Sequence, residues 1–334
     1  MDQITIRKDS KIVPVLVAQA HGERVDSEVA ANADKLVKDL VSDFNPHNRY
    51  QLAQLIGFSV DEVAQPEMNW LETVADVKNV GYGERAQFKV RHEGIRAFMQ
   101  AKGATTARSK VANHTFSMDT VAVSARPAIN IVDLKIGRVQ MSDLVKDAAY
   151  QMNLAKLGYI RNVLNAAYKD MASPYYAAGA GIVPKTLNDQ LTFWMRMLGG
   201  ATIMGDFECI SKLADLTGFA ASTDSKQFAN EIIMEQNTNG YIGVYKGAKV
   251  VNMTNPLLDG TDKPILETNK LFILPTSVDT SLRPLKVVNE GETMAQEFQN
   301  IDDQVFETRL DQWFGAAMAY GDRPYMSVYE DTSI

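Results

Sequence analysis

A chain of 334 residues, 46% apolar and 22% charged, has the composition of an ordinary globular protein and room for two domains or one large body with extensions. The net charge of −7 argues against general attraction to nucleic acid over the whole surface, and a single cysteine, Cys209, excludes an internal disulfide framework. Residues 1–11 lack the apolar core of a signal peptide, and no run approaches the length of about 18 apolar residues that spans a membrane.

Residues 1–70 read as an arm rather than a domain. Positions 15–18 have the pattern of a short strand. Val25, Val29, Ala33, Leu36, Val37 and Leu40 recur at helical spacing until Asn45-Pro46 breaks the run. Residues 51–56 and 60–63 are short amphipathic pieces separated by Gly57. Pieces this short predict a clasp on another part of the protein or on another copy.

Positions 78–126 are two strand-like halves around a polar, glycine-marked tip. Phe88, Val90 and His92 alternate with Gln87, Lys89 and Arg91, the period of a half-buried strand. The return half carries Phe116 and Met118, then Val121 and Val123, with His92 and His114 placed to meet across the pair. Between positions 78 and 110 there are eight basic residues, Lys78, Arg85, Lys89, Arg91, Arg96, Lys102, Arg108 and Lys110, against Glu84 and Glu93. A lone two-stranded hairpin is marginal in water, so this one is expected to lie on a neighbouring subunit.

Residues 128–134 predict a further strand. A helix follows over 142–171, with Ser142 as its N-cap, Asp143 in the first turn, and a stripe through Val145, Ala148, Met152, Ala155, Tyr159, Val163 and Ala167. Gly158 inside it predicts a close packing contact. After a small-residue linker at 177–181 the pattern is mixed α/β: helices at 187–198, 206–216 and 225–235, and strands at 201–204, 241–245, 248–253, 271–275 and 286–289. A long strand covers 304–320, and an alternating segment lies at 325–329.

The search for chemistry returns negatives. There is no G-x-S-x-G, H-E-x-x-H, C-x-x-C or P-loop pattern, the four histidines are scattered, and Cys209 reads as a small buried hydrophobe, so no catalytic, cofactor or metal residues are named. The segment 290–311 is acidic, with Glu290, Glu292, Glu297, Asp302, Asp303, Glu307 and Asp311 against Arg309. Either this is a solvated face, or it is the acidic partner surface for the basic hairpin of another copy.

In this order of parts the chain resembles the major capsid proteins of tailed bacteriophages, the Hong Kong 97 fold. That is an α+β fold with an N-terminal arm, an extended β-hairpin loop, a long spine helix, a peripheral domain and an α/β axial domain. The resemblance implies the arm at 1–70, the loop at 78–126, the peripheral domain at 127–183 with its spine helix at 142–171, the axial domain at 184–285, and a return to the peripheral domain with a C-terminal tail at 286–334. It implies a virion shell protein that assembles in the bacterial host cytoplasm into pentamers and hexamers around double-stranded DNA. Its partners would be itself, a separate scaffolding protein, a portal and a decoration protein.

Arg85, Lys89, Arg91, Arg96, Lys102, Arg108 and Lys110 would form the intersubunit face of the loop. An isopeptide crosslink, as in some members, would join Lys102 or Lys110 to Asn289 with help from Glu290; the competing reading is ordinary surface residues. An encapsulin-type nanocompartment shell and an α/β enzyme with an inter-domain site are the alternatives.

Overall fold

The computed structural model describes residues 5–43, 45–64, 70–93, 112–169, 171–221, 241–258, 260–276, 280–300, 305–319 and 326–334. The chain begins with helices α1 (Ile12–Ala20), α2 (Ser27–Ser42) and α3 (Pro46–Ala64). The strand expected at 15–18 lies inside α1, because Ile12, Val13, Leu16 and Ala20 share one buried helical face. Asp26 caps α2 by accepting from the Glu28 N–H. The two pieces expected at 51–56 and 60–63 are one helix running through Gly57. A β-carbon at Gly57 would stand 3.1 Å from that of Ala295, so this glycine serves a close approach to a strand and does not break the helix. The described residues of the expected arm are thus a packed helical layer.

Next come α4 (Trp70–Val74) and the strands β1 (Ala75–Val80), β2 (Gln87–Glu93), β3 (Ala112–Ser117), β4 (Val121–Ala125) and β5 (Ala128–Asn130), then α5 (Ile131–Ile136). The single strand expected at 128–134 is split because the Asn130 side chain accepts from the Val132 N–H and starts α5. The long helix α6 (Met141–Tyr168) has 28 residues, a length of roughly 42 Å. It begins before Ser142, which is buried within it and does not act as the cap. A β-carbon at Gly158 would meet nothing within 4 Å, so this glycine does not serve the close contact expected of it.

The second half contains β6 (Tyr176–Gly179), α7 (Pro184–Leu198), β7 (Ala201–Gly205), α8 (Phe207–Ala214), β8 (Phe219–Ala221), β9 (Tyr241–Tyr245), β10 (Ala248–Asn252) and β11 (Lys270–Pro275). The strands β12 (Leu285–Asn300), β13 (Val305–Met318) and β14 (Ser327–Asp331) close the chain. The linker expected at 177–181 instead supplies β6, an edge strand parallel to β14. The helix expected at 225–235 lies outside the described residues.

One sheet has the order β1-β12-β13-β4, with β5 also paired to β13. The other runs β6-β14-β11-β7-β10-β9-β8. Its central strands are buried on both faces, and alternation divides them cleanly. Ile203, Val250, Leu271 and Ile273 join the core under α7 and α8 around Trp194, whose Nε1 donates to Ser327 Oγ at 2.7 Å. Met204, Val251, Phe272 and Leu274 face the core shared with α1, α3, α6 and the first sheet. The second sheet therefore welds the two halves of the chain together along the long helix.

Candidate assembly surface

Of the hairpin expected at 78–126, β2 and β3 pair antiparallel as a separate two-stranded sheet, whereas Lys78 lies in β1 and the expected return residues Val121 and Val123 lie in β4, both strands of the first sheet. Its register puts Phe88 opposite Phe116 and Val90 opposite His114, so His92 and His114 are not cross-strand partners. The root is anchored. Phe88 is fully buried with Ala86, Met118 and Val288, and its ring stacks on Phe116 at 5.6 Å. Two ammonium groups flank that ring, Lys78 Nζ at 4.8 Å and Lys286 Nζ at 5.6 Å from its centroid. Lys78 also donates to the Gln87 carbonyl at 2.6 Å.

Beneath the root lies a buried ion pair, Lys286 Nζ to Asp76 Oδ2 at 2.9 Å, with Lys286 also donating to the Ser281 carbonyl. Arg85 makes a loose, exposed pair with Asp119 at 3.7 Å, and Lys89 is exposed. Arg91 stands in β2 opposite Asn113. Arg96, Lys102, Arg108 and Lys110 lie outside the described residues.

The acidic segment is two strands of the first sheet, and each of its carboxylates among the described residues has a partner in the same chain. Glu290 accepts from the Gly83 N–H at 2.8 Å and from Thr120 Oγ1; the Thr120 bond, then the Gly83 bond, holds its carboxyl below the usual range. Glu292 pairs with Lys8 at 2.7 Å and Glu307 with Arg126. Glu297 stands 4.0 Å from Arg49, and burial pushes its carboxyl up against the pull of that guanidinium. Asp311 receives Ser124 Oγ and Arg309 Nε. Asp302 and Asp303 lie outside the described residues. The free acidic face expected of this segment is therefore largely compensated from within, because the sheet brings cations from residues 8, 49 and 126 against it. Asn289 Nδ2 donates to Asn79 Oδ1 at 2.9 Å, so the asparagine considered for crosslinking is already held.

Two polar clusters had no signal in the sequence, since each joins segments 99 or more residues apart. Glu267 accepts from Asn165 Nδ2 at 3.0 Å and Lys270 Nζ at 3.1 Å, with the Tyr168 hydroxyl and Arg161 beside it, and so ties successive turns of α6 to the second sheet. Asp331 accepts from the Gly181 N–H, Lys212 Nζ, and both the N–H and hydroxyl of Ser333. Burial alone would raise its carboxyl; these bonds override that and hold it well below the usual carboxylate range.

Among the described residues, no group of three or more His, Cys, Asp or Glu side chains is arranged to hold a metal, and no helix is long and apolar enough to cross a membrane. Cys209 is buried, and burial pushes its thiol up to about 12, the opposite of an activated nucleophile.

The family of the SPbeta prophage-derived putative capsid protein YonB matches residues 5–329 of the chain. No curated protein matches it. The mature capsid subunit of bacteriophage PhiM1 is similar in fold, with a TM-score of 0.51 at 11% identity over 79% of this chain and 87% of that one. The capsid subunit of the empty GTA particle gives a TM-score of 0.52 at 11% identity, over 79% of this chain and 89% of that one. At these identities what is shared is the α+β capsid fold, anticipated from the hairpin followed by the long helix.

Proposed function

The chain belongs to the family of the SPbeta prophage-derived putative capsid protein YonB, and from that premise we propose that it is the major shell subunit of an icosahedral phage head. Copies associate into pentamers and hexamers, and the closed shell holds double-stranded DNA. A separate scaffolding protein, a portal and a decoration protein are its partners in the virion, which assembles in the host cytoplasm. Its role is structural. The family favours a phage shell over a nanocompartment shell or an enzyme.

One observation carries the reading of how the copies join. The hairpin is fixed to its own subunit at Phe88 and Met118, while its basic outer part has too few bulky apolar residues to form a core. An anchored root whose sequence continues into a cationic segment suits contact with a neighbouring copy, and charge on such a segment sets register and association rate more than final affinity.

Negative-stain microscopy of the purified chain, expressed with its scaffolding partner, is expected to show icosahedral heads or ring-shaped capsomers. A monodisperse monomer under all assembly conditions would sink the proposal. Reversing Arg91, Arg96 and Arg108 to glutamate is expected to cut particle yield at least ~10-fold, with an unchanged circular dichroism spectrum and melting temperature of the subunit. Screening lengths of about 8 Å at physiological salt make the loss of yield steepest at low salt. Undiminished yield would remove the segment from the contact.

A further inference from the structure

A cavity of about 360 Å³ opens where the first sheet meets the ends of α3 and α4 and the middle of α6. Lys156 enters it from α6, with its Nζ 5.8 Å from the Phe314 ring centroid. The charged groups around that amine are committed elsewhere, element by element. On α3, Asp61 accepts from the N–H and hydroxyl of Thr293 and from Gln312 Nε2. On β12, Glu290 accepts from Gly83 and Thr120, and Glu292 pairs with Lys8. Glu72 of α4 is exposed at the rim, while β1 and β13 contribute the neutral Asn79, Gln312, Trp313 and Phe314. Among the described residues no ion pair joins Lys156 to a carboxylate, whereas the two buried lysines, Lys270 and Lys286, have carboxylates at 3.1 and 2.9 Å.

An ammonium that loses part of its water and gains no counter-ion is disfavoured against the free amine. Burial, against the attraction of Asp61, draws this one down to about 8. Lys156 is only half-buried, so the cavity leaves it open to a small reagent. A desolvated lysine amine beside an aromatic ring is a nucleophile towards carbonyl carbon. The lining selects the reagent. Asp61, Glu72, Glu290 and Glu292 outnumber Lys8 and Lys156 there, which disfavours an anion, while Leu71, Val77, Val287 and Phe314 favour a neutral, apolar molecule. We propose that Lys156 is a covalent modification site for small apolar aldehydes. The amine adds to the carbonyl carbon, the carbonyl oxygen becomes a hydroxyl, and dehydration leaves an imine. Both amine hydrogens and the carbonyl oxygen depart as water, and no oxidant or reductant is consumed. The inference goes beyond the shell reading and stands on a single copy of the chain.

The test is competitive labelling of the folded chain with benzaldehyde and cyanoborohydride, which reduces an imine to a stable secondary amine, followed by peptide mapping. At about pH 7.5 Lys156 is expected to be benzylated at least ~10-fold faster than the other lysines, since far more of it is free amine and its lower basicity takes back only part of that gain. Its rate should level off above about pH 8, whereas ordinary lysines keep gaining to about pH 10. Unfolding in guanidinium chloride should abolish the preference. Equal labelling of all lysines in the folded chain, or a preference that survives unfolding, overturns the inference. Lys156→Arg keeps the charge and is expected to remove the fast-reacting site, with no other lysine taking its place; undiminished fast labelling overturns the assignment. Glyoxylate, an anionic aldehyde, is the control for the lining. It is expected to show little selectivity for Lys156, and selectivity equal to that of benzaldehyde would overturn the preference for apolar aldehydes.

Discussion

Asp331→Ala is expected to lower the stability of the subunit by about 3 kcal/mol, the scale set by removing the acceptor from several charge-assisted hydrogen bonds in a buried setting. The carboxylate is fully buried and closes three segments at once: the turn after β6 through the Gly181 N–H, α8 through Lys212, and the chain end through Ser333. Lys212 is 37% exposed and can turn to solvent, so its share is small. The larger cost is the two backbone N–H groups left without an acceptor. The neighbouring Tyr329 hydroxyl, which takes the Val183 N–H and donates to the Gly181 carbonyl, stays in place but cannot replace the lost acceptor. A β-carbon at Gly179 would come 2.6 Å from that hydroxyl, so the turn has no slack to rearrange around the gap.

The sign of the pH dependence follows from the depressed carboxyl of Asp331. An unfolded aspartate titrates near ~4, above the folded group. Its contribution is therefore complete above that value and is lost as the pH falls toward the folded value. Thermal unfolding of the two chains should differ by roughly 6 °C between pH 5 and 7, with the gap narrowing below about pH 4. A constant gap across that range, or none at neutral pH, would refute the latch.

What was legible in the sequence is what is encoded locally. The alternation around Phe88, the spacing of Val145, Ala148 and Met152, and the Lys246-Gly247 turn with both residues at positive φ each declare an element within a dozen residues. The long helix and the hairpin before it are enough to order the parts of the capsid fold. The helices α1 and α3 are not legible locally because their burial comes from distant parts of the chain, α1 from α3 and α6, and α3 from α6 and β12. Without Ala295 in view, Gly57 looks like a break.

The acidic segment shows the complementary failure. Composition reveals a charge run but not its partners, and Lys8, Arg49 and Arg126 reach Glu292, Glu297 and Glu307 only after the chain has closed. The cavity was invisible for the same reason. Lys156, Asn79 and Gln312 are each ordinary in their own neighbourhoods, and only the register of Asn79 and Phe314 on either side of Asn289 puts them on one face.

The same register makes Asp76 the most sensitive position at the base of the hairpin. β1 pairs in parallel with β12 so that Asp76 stands beside Lys286, whose side chain is 1% exposed against 10% for the aspartate. Asp76→Ala removes the carboxylate from a buried ammonium beside the Phe88 ring, which keeps the Ser281 carbonyl among its partners, and is expected to cost about 3–5 kcal/mol. The paired change Asp76→Leu with Lys286→Met removes both charges and keeps the volume, and should recover most of that loss. A denaturant-unfolding cycle over the two single variants and the pair therefore separates the penalty of a stranded charge from the net worth of the ion pair, which is small. The assembled state should separate the variants differently. With Asp76→Ala the ammonium is driven to find other partners under Phe88, the hydrophobic root of the hairpin loosens, and particle yield falls with stability. With the apolar pair the root stays packed, and yield is expected to match the unaltered chain. If the pair were as unstable as Asp76→Ala alone, the buried charges would be holding the root by more than their own compensation. A pair that folds stably yet fails to assemble would instead place the ion pair in the contact between copies.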